Sequence, residues 1–185
     1  MGTGRIRMES LLNGLTAVAL AVALGFVIRD RVAPTLRERR IVDPGERIPS
    51  GILLRDLSTG DTVPLANLAP ATVLVFLTTC PACESSTPAW REALERAPGS
   101  HLITVAVGDH PDARAWTARE LPGMTTLEPL DVAGFLGSMR IRVVPTAFSV
   151  GADGRMLDRR EGVLSPEDAL TLLMAPRSRG TQAGP

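Results

Sequence analysis

The chain has 185 residues, 44% of them hydrophobic, which suits one ordinary domain plus a tail and excludes two large domains. Its 20 Lys+Arg balance its 20 Asp+Glu, and it has four phenylalanines, two tryptophans and no tyrosine, so neither a basic face nor a stacking platform for nucleic acid is expected. Two cysteines are too few for a disulfide scaffold or a four-thiolate zinc site.

An uncharged apolar run lies near the N-terminus. Residues 11–28 carry no charge, and as a helix rising about 1.5 Å per residue they would be roughly 27 Å long, close to the ~30 Å hydrocarbon thickness of a bilayer. We therefore predict a short N-terminal segment (1–10), a transmembrane anchor (11–28) and a charged linker (29–45). A removed signal peptide is the alternative, because Ala21-Val22-Ala23 fits a cleavage site.

Strand and helix patterns alternate after the linker, which predicts an α/β domain over residues 46–175 with a central mixed sheet flanked by helices. In chain order, the predicted elements are a hairpin around the turn at 58–61, a buried strand at 71–77, a helix at 82–97, a buried strand at 102–107, helices at 112–120 and 131–139, a hairpin around 151–154, and a helix that begins at Ser165-Pro166-Glu167-Asp168. Residues 176–185 are predicted to be a disordered tail.

Both cysteines belong to one motif, Cys80-Pro81-Ala82-Cys83, where a predicted strand meets a predicted helix. One helical turn brings the two sulfurs near enough for a disulfide. The first sulfur would lie at the positive end of the helix, which favours thiolate over thiol. Cys80 is therefore predicted to be the attacking thiolate, and Cys83 the more buried resolving thiol. Pro81 suits the first helical position because its missing N–H is no loss there.

Other uses of the cysteine pair stay open at this point. A copper or zinc chaperone would need further ligands, and His101 and His110 are the only histidines. A purely structural disulfide is a weaker alternative, since closing so short a loop would stabilise the fold little.

Four segments occur in a characteristic order along the chain: the C-x-x-C motif at 80–83, Pro88 five residues later, Ile141-Arg142-Val143-Val144-Pro145-Thr146, and Glu161-Gly162-Val163-Leu164-Ser165. Together they resemble the membrane-tethered bacterial branch of the thioredoxin superfamily, the TlpA, ResA and MauD-like thiol-disulfide proteins. The resemblance covers about residues 46–174 and implies a thioredoxin-like fold.

The resemblance also implies a cis peptide bond between Val144 and Pro145, beside Cys80 in space. The Val144 backbone would then pair with a substrate peptide as a short added strand. The other positions predicted to bind substrate or to support the cysteines are Thr79, Pro81, Ala82 and Thr146.

Three residues depart from the family pattern. Thr79 replaces a tryptophan that many members carry before the first cysteine. Leu74 and Ser86 stand where thioredoxin proper and many cytochrome-maturation members, respectively, have an acid. Neither familiar proton acceptor for Cys83 is therefore present, and Glu84, which adjoins it, is expected to be a solvated helix residue.

We accordingly expect a thiol-disulfide oxidoreductase anchored by residues 11–28 in the bacterial cytoplasmic membrane, facing the periplasm or cell exterior. Its expected partners are protein thiols and disulfides and an upstream membrane redox protein, possible targets being cytochrome c or another exported enzyme under maturation. No nucleic acid and no cofactor beyond the Cys80–Cys83 disulfide are expected. A redox-silent peptide-binding module is a further alternative.

The distribution of arginine opposes this orientation. Arg5 and Arg7 precede the apolar run, whereas five arginines follow it within 29–40. Counted alone, the positive-inside rule would keep the domain in the cytosol. The outward orientation therefore depends on the thiol motif and on the family resemblance.

Overall fold

The computed structural model describes residues 43–108 and 112–178. In this part of the chain the elements are β1 (Leu53–Asp56), β2 (Thr62–Pro64), a 3-10 helix (Leu65–Leu68), β3 (Ala71–Phe76), α1 (Pro81–Arg96), β4 (Leu102–Ala106), α2 (Ala113–Glu120), β5 (Thr125–Pro129), α3 (Val132–Ser138), β6 (Thr146–Val150), β7 (Met156–Glu161) and α4 (Pro166–Ser178).

The strands form one mixed sheet in the order β2-β1-β5-β4-β3-β6-β7. β3, β4 and β5 are parallel, whereas β1–β2, β1–β5, β3–β6 and β6–β7 are antiparallel pairs. The predicted α/β architecture with a mixed sheet and flanking helices is confirmed. Its two antiparallel hairpins also lie where the turn sequences predict them.

Strand β3 lies inside the sheet, and all six of its residues are buried. Val73 and Val75 face a core that also contains Phe135 of α3, whereas Leu74 faces a second core that contains Trp90 of α1. Burial on both faces explains why the run is continuously apolar rather than alternating. The carboxyl end of β3 leads directly to the two cysteines.

Helix α1 continues through Pro88. A proline at this position has no N–H to donate to the carbonyl of Glu84 four residues earlier. The Thr87 hydroxyl donates to that carbonyl at 2.9 Å, so the freed acceptor is satisfied and the helix is not interrupted.

Helix α4 also contains a proline, and it extends further than predicted. It ends at Ser178, so the predicted boundary of the tail at residue 176 is too early. Pro176 leaves the Leu172 carbonyl without its usual helical donor, and the Thr72 hydroxyl of β3 donates to this carbonyl at 2.9 Å. A tertiary contact therefore allows the helix to pass a residue that normally ends one.

The structure corrects one predicted boundary on the N-terminal side, the end of the linker, and does not describe the predicted anchor. The Gly45 N–H donates to the Met156 carbonyl at 2.7 Å, so the end of the predicted linker 29–45 is part of the domain. The predicted anchor 11–28 lies outside the described residues. Within 43–108 and 112–178, no helix is both long and apolar enough to cross a membrane.

Strand β5 was not among the predicted elements. Its sequence, Thr-Thr-Leu-Glu-Pro, is neither a continuous apolar run nor a clear alternation. It pairs with β4 on one side and with β1 on the other, so its backbone hydrogen bonds come from segments distant in sequence. Pairing on both edges, rather than local propensity, makes this segment a strand.

Candidate active site

Cys80 lies at the junction between β3 and α1. Its N–H donates to the Leu77 carbonyl at 3.1 Å, and its extended backbone (φ −93°, ψ 113°) makes it the N-cap of α1. The Cys80 sulfur accepts a hydrogen bond from the Cys83 N–H at 3.4 Å, as an N-cap side chain does. Pro81 takes the first helical position. The sulfur therefore lies at the N-terminal, positive end of α1.

A second element approaches the same sulfur from the loop between α3 and β6. The Cys80 thiol donates to the Val144 carbonyl at 3.6 Å, and the Val144–Pro145 peptide bond is cis. The Thr146 hydroxyl donates to the Val143 carbonyl at 2.6 Å, which holds the turn of this loop. The structure thus brings together two motifs that are 64 residues apart in the sequence.

The remaining predicted site residues differ in how far they are exposed. Thr79 and Pro81 are exposed on either side of it, and Ala82 is half-buried. Pro145 and Thr146 are buried beneath the loop. Cys80 itself is half-buried, whereas Cys83 is buried.

Cys83 lies one helical turn inside α1 and is only 2% exposed. It belongs to an apolar cluster with Phe76, Ala106, Ala113 and Trp116. Burial in this cluster raises the pKa of the Cys83 thiol to about 12, although a hydrogen bond with the backbone of Leu77 opposes the shift. The adjacent Cys80 sulfur adds to the increase. Cys83 is therefore a protonated thiol around neutral pH.

The wall of the Cys83 pocket includes an aromatic pair that the sequence did not reveal. Trp116 of α2 stacks on Phe76 of β3, with ring centroids 4.4 Å apart and ring planes 17° apart. Trp116 is buried. A large apolar side chain within the predicted helix 112–120 is the sequence signal that could have pointed to it. Which buried surface it covers depends on where α2 packs.

The structure also describes the residues that depart from the family pattern. Leu74 is buried and belongs to the same apolar cluster as Trp90, not to the cluster that contains Cys83. The Ser86 hydroxyl is buried and has no hydrogen-bond partner within the described part of the chain. Glu84 is exposed, which agrees with its expected position as a solvated helix residue.

The two cysteines should differ strongly in reactivity towards alkylating agents. We expect iodoacetamide at about pH 8 to modify Cys80 of the folded, reduced protein and to leave Cys83 largely unmodified, because only the thiolate reacts and the pKa of Cys83 is raised to about 12. Peptide mass spectrometry after a timed quench measures this difference. Protein unfolded in guanidinium is the control and should be modified at both cysteines. Equal rates in the folded protein would contradict the buried position of Cys83.

Metal binding gains no support from the positions of the side chains. His101 lies next to the first residue of β4, whereas the cysteines lie beyond the opposite end of the neighbouring strand β3. His110 lies outside the described residues. Across 43–108 and 112–178, no group of three or more His, Cys, Asp or Glu side chains is arranged to hold a metal ion.

The overall arrangement has counterparts among solved structures, whereas no family model and no curated protein matches the sequence. The chain is 18% identical to the thioredoxin domain of a thiol-disulfide oxidoreductase from Bacteroides vulgatus, with a TM-score of 0.57 over 77% of this chain and 99% of that one. The fold is thioredoxin-like.

Two further thioredoxin-like structures have similar scores. A thiol:disulfide interchange protein of the thioredoxin family from Chlorobium tepidum is 20% identical, with a TM-score of 0.55 over 71% of this chain and 97% of that one. A secreted disulfide oxidoreductase from Mycobacterium tuberculosis is 17% identical, with a TM-score of 0.52 over 66% and 94%. This chain therefore includes nearly the whole length of each of the three domains.

Proposed function

We propose that this protein is a thiol-disulfide oxidoreductase that exchanges disulfides with protein cysteines through Cys80 and Cys83. The observation that carries the proposal is the position of Cys80. Cys80 is the N-cap residue of α1, and its sulfur faces the Val144 carbonyl. The second thiol, Cys83, lies buried one helical turn later. The structural counterparts described as thiol-disulfide oxidoreductases support the same activity.

The reaction needs two sulfur displacements. The Cys80 thiolate attacks one sulfur of a partner disulfide, the partner S–S bond breaks, and the other partner sulfur leaves as a thiolate. Cys83 then loses its proton and attacks the Cys80 sulfur, which releases the second partner thiol and forms the Cys80–Cys83 disulfide. The partner disulfide is reduced to two thiols, and the two cysteines of this protein are oxidised. The reverse sequence oxidises a partner.

The second displacement requires that Cys83 lose its proton. Burial raises the pKa of the Cys83 thiol to about 12, and a thiol is a poor nucleophile until it is deprotonated. Water or a partner group must therefore accept that proton when Cys83 attacks.

The substrate is proposed to bind as an extended segment beside the loop that precedes β6. The backbone of Val144 would pair with it as an added strand. Val143 and Val163 are exposed by 48% and 53%. Val143 precedes Pro145 by two residues, and the N–H of Gly162, which precedes Val163, donates to the Pro145 carbonyl at 2.7 Å. These two exposed apolar side chains are proposed to contribute to substrate binding.

We further propose that residues 11–28 anchor the domain in the bacterial cytoplasmic membrane, with the domain in the periplasm or outside the cell. The apolar length of that segment supports the anchor, and an oxidising compartment suits a cysteine pair of this kind. An upstream membrane redox protein would restore the working state of the pair, since no other cofactor is proposed. Cytochrome c or another exported enzyme under maturation is the proposed target.

Replacement of the resolving cysteine should trap the partner. In the full chain with Cys83→Ser, the Cys80 mixed disulfide has no internal thiol to resolve it. We therefore expect covalent complexes that disappear on treatment with dithiothreitol, seen on non-reducing gels of native membranes and identified by mass spectrometry. The matched control, Ser85→Ala on the exposed side of the same helix, should give none.

The identity of the trapped proteins tests the orientation as well. Exported proteins that contain cysteines would agree with an outward-facing domain. Cytosolic proteins would contradict the orientation and leave the chemistry intact. No trapped protein, with Cys83→Ser folded and Cys80 reduced, would argue against disulfide exchange.

A further inference from the structure

Helix α3 ends in a Schellman motif in which the left-handed residue is an arginine. The Arg140 N–H donates to the Gly137 carbonyl at 3.2 Å and the Ile141 N–H to the Leu136 carbonyl at 2.9 Å, the two bonds that define this kind of helix end. Arg140 has a φ of 48°, a conformation that glycine adopts more readily than any other residue. This helix end therefore requires support from elsewhere.

The guanidinium of Arg159, on β7, provides that support. Its Nη1 donates to the Met139 carbonyl at 2.5 Å and its Nη2 to the Arg140 carbonyl at 2.7 Å. Glu161 forms an ion pair with the same guanidinium. The Arg159 side chain is only 13% exposed, and its charge complements the negative end of the helix. Removing it would leave two backbone carbonyls without these donors.

The segment that begins at this helix end leads to the reactive thiol. Val144 follows Arg140 by four residues, and its carbonyl accepts the hydrogen bond from Cys80 at 3.6 Å. The far end of the segment is held by the residue that follows β7, because the Gly162 N–H donates to the Pro145 carbonyl at 2.7 Å. β7 and its extension therefore fix both ends of segment 140–145.

We propose that Arg159 is a positioning residue for Cys80: its guanidinium fixes segment 140–145 so that the Val144 carbonyl stays in place against the thiol. A carbonyl oxygen accepts a hydrogen bond from S–H and repels negative charge on sulfur, so its proximity favours the thiol. The positive end of α1 favours the thiolate. The distance between the Val144 carbonyl and the Cys80 sulfur sets the balance between these opposing effects.

The proposal rests on the proposed function only in one respect: it takes disulfide exchange as the reaction that depends on the balance between thiol and thiolate at Cys80. Its effect on the sulfur can be measured without any substrate. The experiment uses the full chain with Cys83→Ser, in which Cys80 is the only thiol, and follows the rate of alkylation by iodoacetamide against pH. Circular dichroism verifies that each variant is folded.

Arg159→Met in this background keeps an unbranched apolar stem and removes the guanidinium. We expect the alkylation profile to move to lower pH, with about threefold faster reaction below its midpoint, which is the size of effect that one hydrogen bond produces. The matched control is Arg160→Met on the same strand, where the side chain is 46% exposed and pairs with Asp158. This control should keep the parental profile.

A parental profile in folded Arg159→Met would overturn the proposal. If Arg159→Met does not fold, Arg159→Lys decides, because its single ammonium keeps the charge but cannot reproduce the fork that binds two carbonyls. A smaller shift to lower pH is then expected, and an unshifted profile overturns the proposal. Insulin disulfide reduction by the unmodified chain is measured in parallel. Its absence, together with a shifted Arg159→Met profile, would contradict the proposed function and support the positioning role.

Discussion

Replacing Cys80 by serine is expected to abolish disulfide exchange, with a loss on the order of a thousandfold or more, down to the background rate. The serine hydroxyl is not ionised near neutral pH and cannot form a disulfide, so no mixed disulfide can begin. Serine is also a favourable N-cap, and α1 should keep its start at Pro81. The turbidity assay of insulin reduction, with dithiothreitol as electron donor, measures the loss.

The matched control for this substitution is Ser85→Ala, on the exposed side of α1. It should leave the rate within experimental error of the unmodified chain. Retained activity in Cys80→Ser would show that Cys83 or another group begins the reaction, and the proposed order of the two displacements would then be wrong.

Trp116→Ala should have the second large effect, because the side chain is 5% exposed and covers the cluster that contains Cys83. Truncating a buried tryptophan removes its packing and leaves a cavity, so we expect a loss of about 3–5 kcal/mol in the free energy of unfolding. Urea denaturation measures that loss. Water that enters the cavity should also lower the pKa of Cys83 from its value of about 12.

The effect on Cys83 is measured in a Cys80→Ser background, where it is the only thiol. Alkylation of Cys83 should then begin at a lower pH in Trp116→Ala than in the parent. Trp90→Ala is the matched control, because Trp90 is 0% exposed and belongs to the other cluster, with Leu74. It should lose similar stability without changing the reactivity of Cys83. Equal effects of both substitutions on Cys83 would show that general loosening, rather than the local pocket, controls the thiol.

Local patterns were sufficient to predict the elements that carry the chemistry. The apolar run of β3, the Cys-Pro-x-Cys motif and the helix formers after it place Cys80 at a strand-to-helix junction, and the structure has it there. The Ser165 cap was likewise predicted from the sequence Ser-Pro-Glu-Asp. In the structure the Ser165 hydroxyl accepts a hydrogen bond from the Asp168 N–H at 3.2 Å. Each of these features depends on residues within one or two turns of one another.

Other features could not be predicted from local patterns, because their partners are distant in sequence. β5 is a strand through its pairing with β1 and β4. α4 passes Pro176 because Thr72 satisfies the carbonyl that the proline leaves free. In both cases a contact made only in the folded chain overrides the local preference.

The sequence by itself determined the α/β layering and the position of Cys80 at a strand-to-helix junction. It also determined that Cys83 lies one helical turn after Cys80. The predicted anchor at 11–28 lies outside the described residues and remains a prediction. His110 also lies outside them, so its use as a metal ligand is not tested. The tertiary structure decided which groups surround each sulfur and how fully Cys83 is shielded from water. The pKa of Cys83 is raised to about 12, mainly because the thiol is buried, in a cluster that contains Trp116 and Phe76, and Cys80 faces a carbonyl held through Arg159. Burial and distance set the charge state of a thiol, and neither exists until remote segments pack together.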